Sequence, residues 1–288
     1  MTTFPQKRKK TSFEIIVETL KTAGWYLLLC GVGILMIIPF IWMLSTSLKE
    51  SSAVFSYPPE WIPNPIVWEN YIKAWQAAPF GRYFFNSIFV AVCITMGQVF
   101  TSSLAAYAFA RVEFPGRDKI FLAYLATMMI PGQVTMIPVF ILLKYIGWID
   151  TYKALIIPGI FTAYGTFMLR QFFLTIPKEL EEAAVMDGFS RWQIYSKIIM
   201  PLSKPALATL STFVFLNNWN EFLWPLIVTS SAEMRTLPLG LVTFQGQYTT
   251  DWNLLMAAST TVLLPVLFIY IFNQKFMTKG IVMTGLKG

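Results

Sequence analysis

The side chains best suited to chemistry lie in one short polar segment, residues 217–225, inside an otherwise apolar block. It contains Asn217, Asn218, Asn220, Glu221 and Trp224. Amide and carboxylate groups can hydrogen-bond hydroxyls, and an indole face can pack against a sugar ring. In a membrane such groups are costly and face a bundle interior or an aqueous cavity. The segment is a candidate solute pathway, and a polar contact that joins two helices or two subunits explains it equally well.

Gln133 is a further candidate for the pathway. It follows Pro131, whose ring frees backbone groups in the middle of an apolar block. Such a break is tolerated where the helix faces protein or a water-filled cavity. Gln133 therefore either contacts solute or hydrogen-bonds a neighbouring helix.

No catalytic residue, metal site or cofactor is predicted. The chain has no histidine, and Cys30 and Cys93 both lie in apolar blocks, where cysteine acts as a small packing residue. A zinc site needs a cluster of such ligands. The phosphate-binding pattern Gly-x-x-x-x-Gly-Lys-Ser/Thr is missing from the sequence. If ATP and magnesium take part, another subunit binds them.

The composition indicates an all-α membrane protein. Of the 288 residues, 56% are hydrophobic and 13% are charged, against about 25% charged in soluble domains. The apolar residues form the blocks 24–46, 83–110, 120–143, 154–169, 206–228 and 252–272. A helical span needs about 20 apolar residues. The block 154–169 is short, and it counts because its neighbours require a crossing there, so six spans are predicted.

The distribution of positive charge predicts the orientation. With the N-terminus in the cytosol, 16 of the 22 Lys and Arg residues fall on the cytosolic side. Positively charged loops remain in the cytosol, so both termini are expected there. The net charge of +7 is thus a property of the topology. A nucleic-acid partner would need a basic face on a folded domain, and none is predicted.

Three parts of the chain are expected. Residues 1–23 form a cytosolic segment with an interfacial helix, on which Phe13, Ile16, Val17 and Leu20 share one face. Residues 24–272 form the six-helix domain, and residues 273–288 form a cytosolic tail. The first apolar block is too long for a cleaved signal peptide and predicts an uncleaved anchor.

A long polar stretch, residues 177–201, interrupts the apolar blocks. Pro177 suits the first position of a helix, and Gly188 can adopt the left-handed conformation that ends it. Ser190 and Gln193 have the spacing of a capping box that opens a second helix. Pro201 is expected to break or kink that helix. The stretch therefore predicts two short helices joined at a glycine corner.

The order Glu182-Ala183-Ala184, Asp187-Gly188, Ile198 and Pro201 resembles the EAA loop of permease subunits of ABC importers. The resemblance implies a coupling helix that docks on a cytosolic ATPase. An ordinary amphipathic loop is the alternative. Phe189, Tyr195 and Met200 depart from the usual alanine, phenylalanine and leucine of that family. The implied contact residues are Glu182, Ala183, Ala184, Asp187, Gly188, Phe189 and Arg191.

Two further stretches are similar to the carbohydrate-uptake, maltose-type branch of this family. One is Trp219-Asn220-Glu221-Phe222, and the other is the glycine-containing tail. The resemblance is to the shorter permease partner, whose tail reaches between two ATPase subunits. Thr284 replaces a commoner glycine there. The implied tail contacts are Lys279, Gly280, Gly285, Lys287 and Gly288.

The resemblance implies a multi-pass permease of the cell membrane that imports a sugar or sugar-like solute by alternating access. Its expected partners are a second permease subunit, two cytosolic ATPases, an external substrate-binding protein and membrane lipid. A glycerol-phosphate or polyol importer of the same family is an alternative. An ion-coupled carrier is a third interpretation, for which the spans offer one ionisable residue, Glu221, and no internal repeat.

Overall fold

The computed structural model describes residues 12–246 and 248–285 of the chain. Within this part all named elements are helical, which confirms the predicted all-α class. The helices are α1 Ser12–Ser47, α2 Glu69–Gln76, α3 Phe80–Arg111, α4 Arg117–Ala126, α5 Gly132–Tyr145, α6 Tyr152–Ile156, α7 Ala163–Leu174, α8 Glu179–Met186, α9 Arg191–Ile194, α10 Met200–Leu202, α11 Lys204–Trp219, α12 Leu223–Val228, α13 Leu237–Gly240 and α14 Trp252–Gly285. A π turn, Tyr195–Ile199, joins α9 to α10.

Four helical segments are long and apolar enough to cross a membrane: Glu18–Ser47, Phe80–Arg111, Tyr152–Leu174 and Trp252–Phe272. Two bent pairs complete the set. Arg117–Met129 and Gly132–Tyr145 meet at 95°, and Arg191–Leu202 and Lys204–Trp219 meet at 77°. The count is six when each bent pair is one span, in agreement with the predicted number. The short block 154–169 lies within a segment of 23 residues, which is long enough to cross.

The bend in the third span lies at Ile130 and Pro131, where the sequence predicts freed backbone groups. Ile130 is extended, and Pro131 is the N-terminal cap of α5. Proline has no N–H to continue the helical ladder. The predicted break is confirmed, and Gln133 is placed in the first turn of the helix that follows it.

Neither of the two predicted domain boundaries falls at the end of a helix. Helix α1 runs through residue 24, and α14 runs through residue 273. The division into three parts therefore stays a prediction. The side chains of Phe13, Ile16 and Val17 lie outside those that the structure describes, and Lys287 and Gly288 lie outside the described residues.

The bundle packs around α3, which contacts α7, α11 and the short helices α2, α6 and α13. One buried cluster extends along this helix from Val90 to Ala110 and includes Leu169, Phe173 and Leu210. Another surrounds its N-terminal end and includes Tyr83 and Trp219. The helix is rich in small residues, which allow helices in lipid to approach closely. Helix α3 is thus the central element on which the other spans are assembled.

A Cβ atom at Gly97 of α3 would lie 1.7 Å from Cγ2 of Ile160. We expect Gly97→Ala to destabilise the protein by about 1–3 kcal/mol, because the added methyl group overpacks this contact. Thermal unfolding in detergent measures the effect. Gly81→Ala is the matched control, since Gly81 lies in the same helix and has open space around its Cα. An equal response of the two variants would contradict the close approach.

Candidate coupling loop and solute pathway

The first half of the polar stretch is helix α8, followed by the predicted glycine corner. Gly188 has a φ of 82°. The N–H of Gly188 donates to the carbonyl of Val185 at 3.0 Å, and that of Phe189 donates to Ala184 at 2.9 Å. These two bonds satisfy the last carbonyls of the helix, as in a Schellman motif. The predicted left-handed helix end is confirmed.

The start of α8 differs from the prediction. The carbonyl of Lys178 accepts the N–H groups of Glu181 and Glu182 at 2.9 and 3.0 Å. The helix therefore begins at Glu179 with Lys178 as its cap, and Pro177 precedes it. Placing Pro177 at the first helical position was wrong, because the first bonded carbonyl belongs to Lys178 and not to Ile176, two residues later than that position requires.

The second half of the polar stretch opens with the predicted capping box. The N–H of Gln193 donates to Oγ of Ser190 at 3.4 Å, and the N–H of Ser190 donates to Oε1 of Gln193 at 2.8 Å. The predicted break at Pro201 lies two residues later, at Ser203, because Pro201 fits within the short helix α10. A bend of 77° follows before α11. The polar stretch, residues 177–201, is referred to below as the coupling loop, after the role that the resemblance implies.

The coupling loop has an outward face and an inward face. Most of its predicted contact residues are exposed: Glu182, Ala183, Asp187, Gly188 and Arg191. Large apolar side chains share the outward face, with Leu180, Val185 and Met186 exposed by 45%, 54% and 84%. Ala184 is buried in the core cluster and Phe189 is half-buried against it, so these two attach the loop to the bundle.

A buried ion pair, which the sequence analysis missed, attaches the coupling loop to α3. Nε of Arg111 lies 3.0 Å from Oε1 of Glu181, and the side chains are 2% and 10% exposed. The two atoms are close enough to form an ion pair, but they are not aligned as in a hydrogen bond. The guanidinium also donates to the carbonyl of Phe173 and, at 2.5 Å, to that of Ile176. The only signal in the sequence was an arginine at the cytosolic end of a predicted span.

A second arginine connects the same two helices in the opposite direction, from α7 to α3. Nε of Arg170, on α7, donates to the carbonyl of Phe109 near the end of α3 at 3.1 Å. Its guanidinium lies 4.2 Å from the ring centre of Phe121 and 3.5 Å from Asp118 of α4. Each arginine thus contacts carbonyls at the C-terminal end of the other helix, where the helix dipole favours a cation. The pair holds α3 and α7 together at one end of the bundle.

Two tyrosines hold the second half of the coupling loop. The hydroxyls of Tyr195 and Ser103 are 2.7 Å apart. The hydroxyl of Tyr107 donates to the carbonyl of Arg191 at 3.4 Å, and the Tyr107 and Tyr195 rings are 5.4 Å apart. The whole coupling loop is therefore connected to the same end of α3.

The polar segment of the fifth span coincides with a break between helices. Helix α11 ends at Trp219 and α12 begins at Leu223. Oε1 of Glu221 accepts the N–H groups of Leu223 and Trp224 at 3.0 and 3.1 Å. The carboxylate therefore satisfies the first donors of α12 and favours the positive end of its dipole.

The candidate pathway residues divide into two groups by exposure. Gln133, Asn217, Asn220 and Glu221 are exposed, and Asn218 and Trp224 are half-buried. Asn218 and Asn220 donate to carbonyls one turn back in α11, both at 2.8 Å. Nε1 of Trp224 donates to the carbonyl of Ala154 at 3.0 Å, so this indole joins α12 to α6. Helix α12 also contacts α5, whose first turn carries Gln133.

Trp219 joins helices. It is fully buried, donates from Nε1 to the carbonyl of Val262 at 3.2 Å and packs on Phe84 and Phe215. For Trp219 and Trp224 the structure thus supports the role of a contact between helices. Within the described residues no group of three His, Cys, Asp or Glu side chains could hold a metal ion. Cys93 is half-buried, whereas Cys30 is exposed and does not pack within this chain.

The end of the bundle opposite the coupling loop is held by neutral groups and one aspartate. Nδ2 of Asn86 donates to the carbonyls of Glu233 and Arg235 at 2.7 and 2.8 Å. Asp150 has a φ of 61°, and its carboxylate accepts the N–H groups of Ser230 and Ser231 at 2.9 and 3.1 Å. Burial opposes ionisation of Asp150, but these hydrogen bonds outweigh it and lower the pKa of the carboxyl.

Comparison with known proteins identifies the family. Residues 98–281 match the family described as binding-protein-dependent transport system inner membrane component. The chain belongs to this family. It is therefore a multi-pass permease component of the inner membrane and not an enzyme, and the interpretation as an ion-coupled carrier loses its support.

Relatives cover most of the chain. It is 36% identical over 227 residues to the arabinooligosaccharides transport system permease protein AraQ of Halalkalibacterium halodurans, covering 78% of this chain and 81% of the relative. It is 35% identical over 265 residues to the sn-glycerol-3-phosphate transport system permease protein UgpE of Yersinia enterocolitica, covering 89% and 94%.

A solved structure shows the same fold. A chain of a bacterial ABC transporter involved in the import of the acidic polysaccharide alginate matches with a TM-score of 0.80 and 23% identity. The match covers 93% of this chain and 99% of the other. The predicted permease fold is thereby confirmed.

The lowered pKa of Asp150 predicts a pH-dependent contribution to stability. In the unfolded chain an aspartate has a pKa of about 3.9. The stabilisation that the ionised Asp150 carboxylate contributes is complete above a pH of about 3.9 and is lost as the pH falls through the lower pKa of the folded state. We expect Asp150→Asn to lower the melting temperature at neutral pH, and this difference to shrink in acid.

Thermal unfolding at a series of pH values measures the difference. Asparagine tolerates a positive φ, so this substitution changes charge without adding backbone strain. Asp251→Asn, at an exposed aspartate of the same end of the bundle, is the control for the loss of one negative charge and should leave the melting temperature near that of the wild type. A difference between Asp150→Asn and wild type that stays constant from neutral to acid pH would contradict the assignment.

Proposed function

We propose that this chain is one of two permease subunits of an ATP-driven importer for a sugar or sugar-like solute. The observation that carries the proposal is the coupling loop, whose outward face is free while its inward face is attached to the bundle. The relatives named above transport arabinooligosaccharides or sn-glycerol-3-phosphate according to their names, which supports this class of solute. The resemblance to the maltose-type branch supports the assignment of this chain as the shorter of the two permease subunits.

The outward face of the coupling loop fits a docking site for an ATPase subunit. Leu180, Val185 and Met186 form an exposed apolar set on a helix of eight residues. Apolar patches rimmed by polar residues mark contacts with a partner. Glu182 and Asp187 at the rim can accept charge-assisted hydrogen bonds. This combination favours docking over an ordinary cytosolic loop, which would expose charge without the apolar set.

A second permease subunit explains the exposed polar groups of the membrane segments. Asn217, Asn220, Glu221 and Gln133 are exposed in this chain. Polar and charged side chains are expensive to place in lipid. This face is therefore covered by the second subunit, lines a water-filled passage, or does both. The passage would lie between the two subunits, with α1 and α14 offering apolar faces to lipid or to the partner.

The chemistry of the polar segment favours a neutral, hydroxyl-rich solute. Residues 217–225 contain one carboxylate, three side-chain amides and two indoles, and no lysine or arginine. A phosphate group would be repelled by Glu221, so the segment fits a sugar better than a glycerol phosphate. The glycerol-phosphate or polyol alternative would need a cation from the second subunit.

The proposed mechanism is alternating access driven from the cytosol. Two ATPase subunits bind ATP and magnesium, and their closure displaces the coupling loops of both permeases. The spans then change from an inward-facing to an outward-facing arrangement, and an external binding protein delivers the solute. The loop can bias this equilibrium only by contacts that differ between the two states. Both termini are assigned to the cytosol, where the tail, including Lys279, Gly280 and Gly285, meets the ATPases.

The docking role predicts a specific defect for Gly188→Val. A non-glycine residue at this positive φ adds backbone strain of about 1–2 kcal/mol and tilts α8 relative to α9. We expect insertion of the complex to persist while ATPase stimulation by the loaded binding protein is abolished in proteoliposomes. Glu182→Lys should show the same defect, because it reverses a charge on the docking face.

Gly147→Val is the matched control. Gly147 also has a positive φ, 70°, with open space around its Cα, but it lies in a loop at the outer end. The Gly147→Val variant should lose a comparable amount of stability and keep the stimulation of the ATPase by the loaded binding protein. Normal stimulation in Gly188→Val and Glu182→Lys would exclude the loop as the docking element.

The pathway role predicts changes in uptake kinetics. Glu221→Gln keeps an oxygen that can accept the N–H groups of α12 and removes the charge. If the carboxylate hydrogen-bonds a solute hydroxyl, the KM for uptake should rise about tenfold, the factor for one lost bond to a charged group. Asn220→Ala should raise the KM about fivefold, as for a neutral bond. Unchanged uptake in both variants would assign the segment to contacts between helices or subunits.

A further inference from the structure

Three residues of α3 form a line that faces the coupling loop. Ser103, Tyr107 and Arg111 are spaced by four residues, so they lie on one face of the helix over two turns. All three are buried: Ser103 is 0% exposed, Tyr107 is 7% exposed, and the Arg111 side chain is 2% exposed. They are called the transmission stripe below.

Each member of the transmission stripe contacts a different part of the coupling loop. Arg111 pairs with Glu181 of α8, before the glycine corner. Ser103 bonds Tyr195 in the π turn, after the corner. Tyr107 lies between these two contacts along α3 and reaches the backbone at the start of α9. The stripe therefore spans both arms of the loop.

The contacts of the transmission stripe resist sliding. A buried donor or acceptor left without its partner costs about 1–3 kcal/mol, and a buried unpaired charge costs more. A shift of the coupling loop along α3 would break such contacts together. A shift of the loop and α3 as one body breaks none of them.

The connection from the coupling loop to α11 is irregular, in contrast to the buried contacts with α3. It passes through the π turn Tyr195–Ile199 and a bend of 77° at Ser203. Both features interrupt the regular ladder of helical hydrogen bonds, and π turns occur at functional sites. The span that follows the loop, α11, is thus joined to it through a bend, while α3, about 90 residues away in sequence, is joined through buried contacts.

We propose that the transmission stripe makes α3 follow the coupling loop, so that motion at the ATPase reaches the bundle through α3 together with α7, which precedes the loop in the chain and is held to α3 by the arginine pair. Ser103, Tyr107 and Arg111 are positioning residues of this movement. The inference rests on the proposed function and names the path by which the loop acts on the spans.

The first test measures coupling in proteoliposomes that contain the complete importer. Ser103→Ala combined with Tyr195→Phe removes the hydroxyl contact and keeps the rings. We expect the solute imported per ATP hydrolysed to fall about fivefold, the factor for one buried hydrogen bond, at unchanged amounts of assembled complex. A defect confined to folding would lower the amount of complex and leave this ratio as in the wild type.

Matched controls exist on the same helix. Ser102 is also buried, but its hydroxyl has no hydrogen-bond partner in the structure. Ser102→Ala, combined with Tyr164→Phe at a partly exposed tyrosine of α7, should keep the wild-type ratio. Arg111→Gln should lower the ratio, whereas Arg117→Gln, at a more exposed arginine paired with its neighbour Asp118, should not.

The second test measures distance and needs no transport. Spin labels at the exposed residues Glu179 of α8, which is not part of the proposed docking face, and Met96 of α3 report the separation of loop and helix, with Cys30 and Cys93 replaced by alanine. In the wild type this distance should be the same without nucleotide and with ATP bound. In Arg111→Gln with Ser103→Ala and Tyr195→Phe it should change on binding ATP.

The outcomes separate the inference from the proposed function. If the wild-type complex shows no ATP-dependent uptake, the proposed function is wrong. If the wild type couples normally and the stripe variants import as much solute per ATP as the controls, the inference is overturned. A loop-to-helix distance that changes on ATP binding in the wild type would overturn it as well.

Discussion

One buried arginine determines how the end of this permease that carries the coupling loop is assembled. A guanidinium carries five donors in a fixed planar arrangement, so a single side chain can satisfy acceptors on several elements. Arg111 reaches from α3 to two carbonyls at the end of α7 and to Glu181 of α8. Removing one member of such a buried pair leaves an uncompensated charge, at about 3–5 kcal/mol. The position of the coupling loop is therefore tied to that of α3.

The two ends of the bundle are held by different chemistry. At the end that carries the coupling loop, Arg111 and Arg170 contact the C-terminal carbonyls of each other's helices. At the opposite end, Asn86 and Asp150 bind backbone groups of the loop that follows α12. Between these ends Gly97 lets α3 approach its neighbour closely. The arrangement gives rigid attachments at both surfaces and tight apolar contact in the middle.

Two of the interruptions within the spans expose polar groups. Pro131 separates the halves of the third span, and Gln133 follows it. The fifth span breaks between Trp219 and Leu223, where Glu221 satisfies the first donors of α12. Irregular backbone at membrane depth is tolerated where it lines a cavity or meets protein. At these two breaks, a passage for solute or a contact with a second subunit would satisfy the exposed polar groups that lipid cannot.

Local rules were sufficient for the helix class, the number of spans and the shape of the coupling loop. The turn at Gly188 and the box of Ser190 and Gln193 depend on residues within one turn of each other, so their geometry follows from residue type. The start of α8 and the position of the bend after Pro201 differed by about two residues, which is the normal uncertainty of helix ends.

Only the tertiary structure decided which faces of the helices meet. Ser103 and Tyr195 are 92 residues apart in the chain, and Arg111 and Glu181 lie on different elements. Nothing in a span that is apolar on every side specifies its rotation about its own axis, because the hydrophobic pattern that orients an amphipathic helix is missing there. Packing of small against large side chains sets that rotation. It decides that Trp219 is buried, that Glu221 is exposed, and that three residues of α3 face the coupling loop.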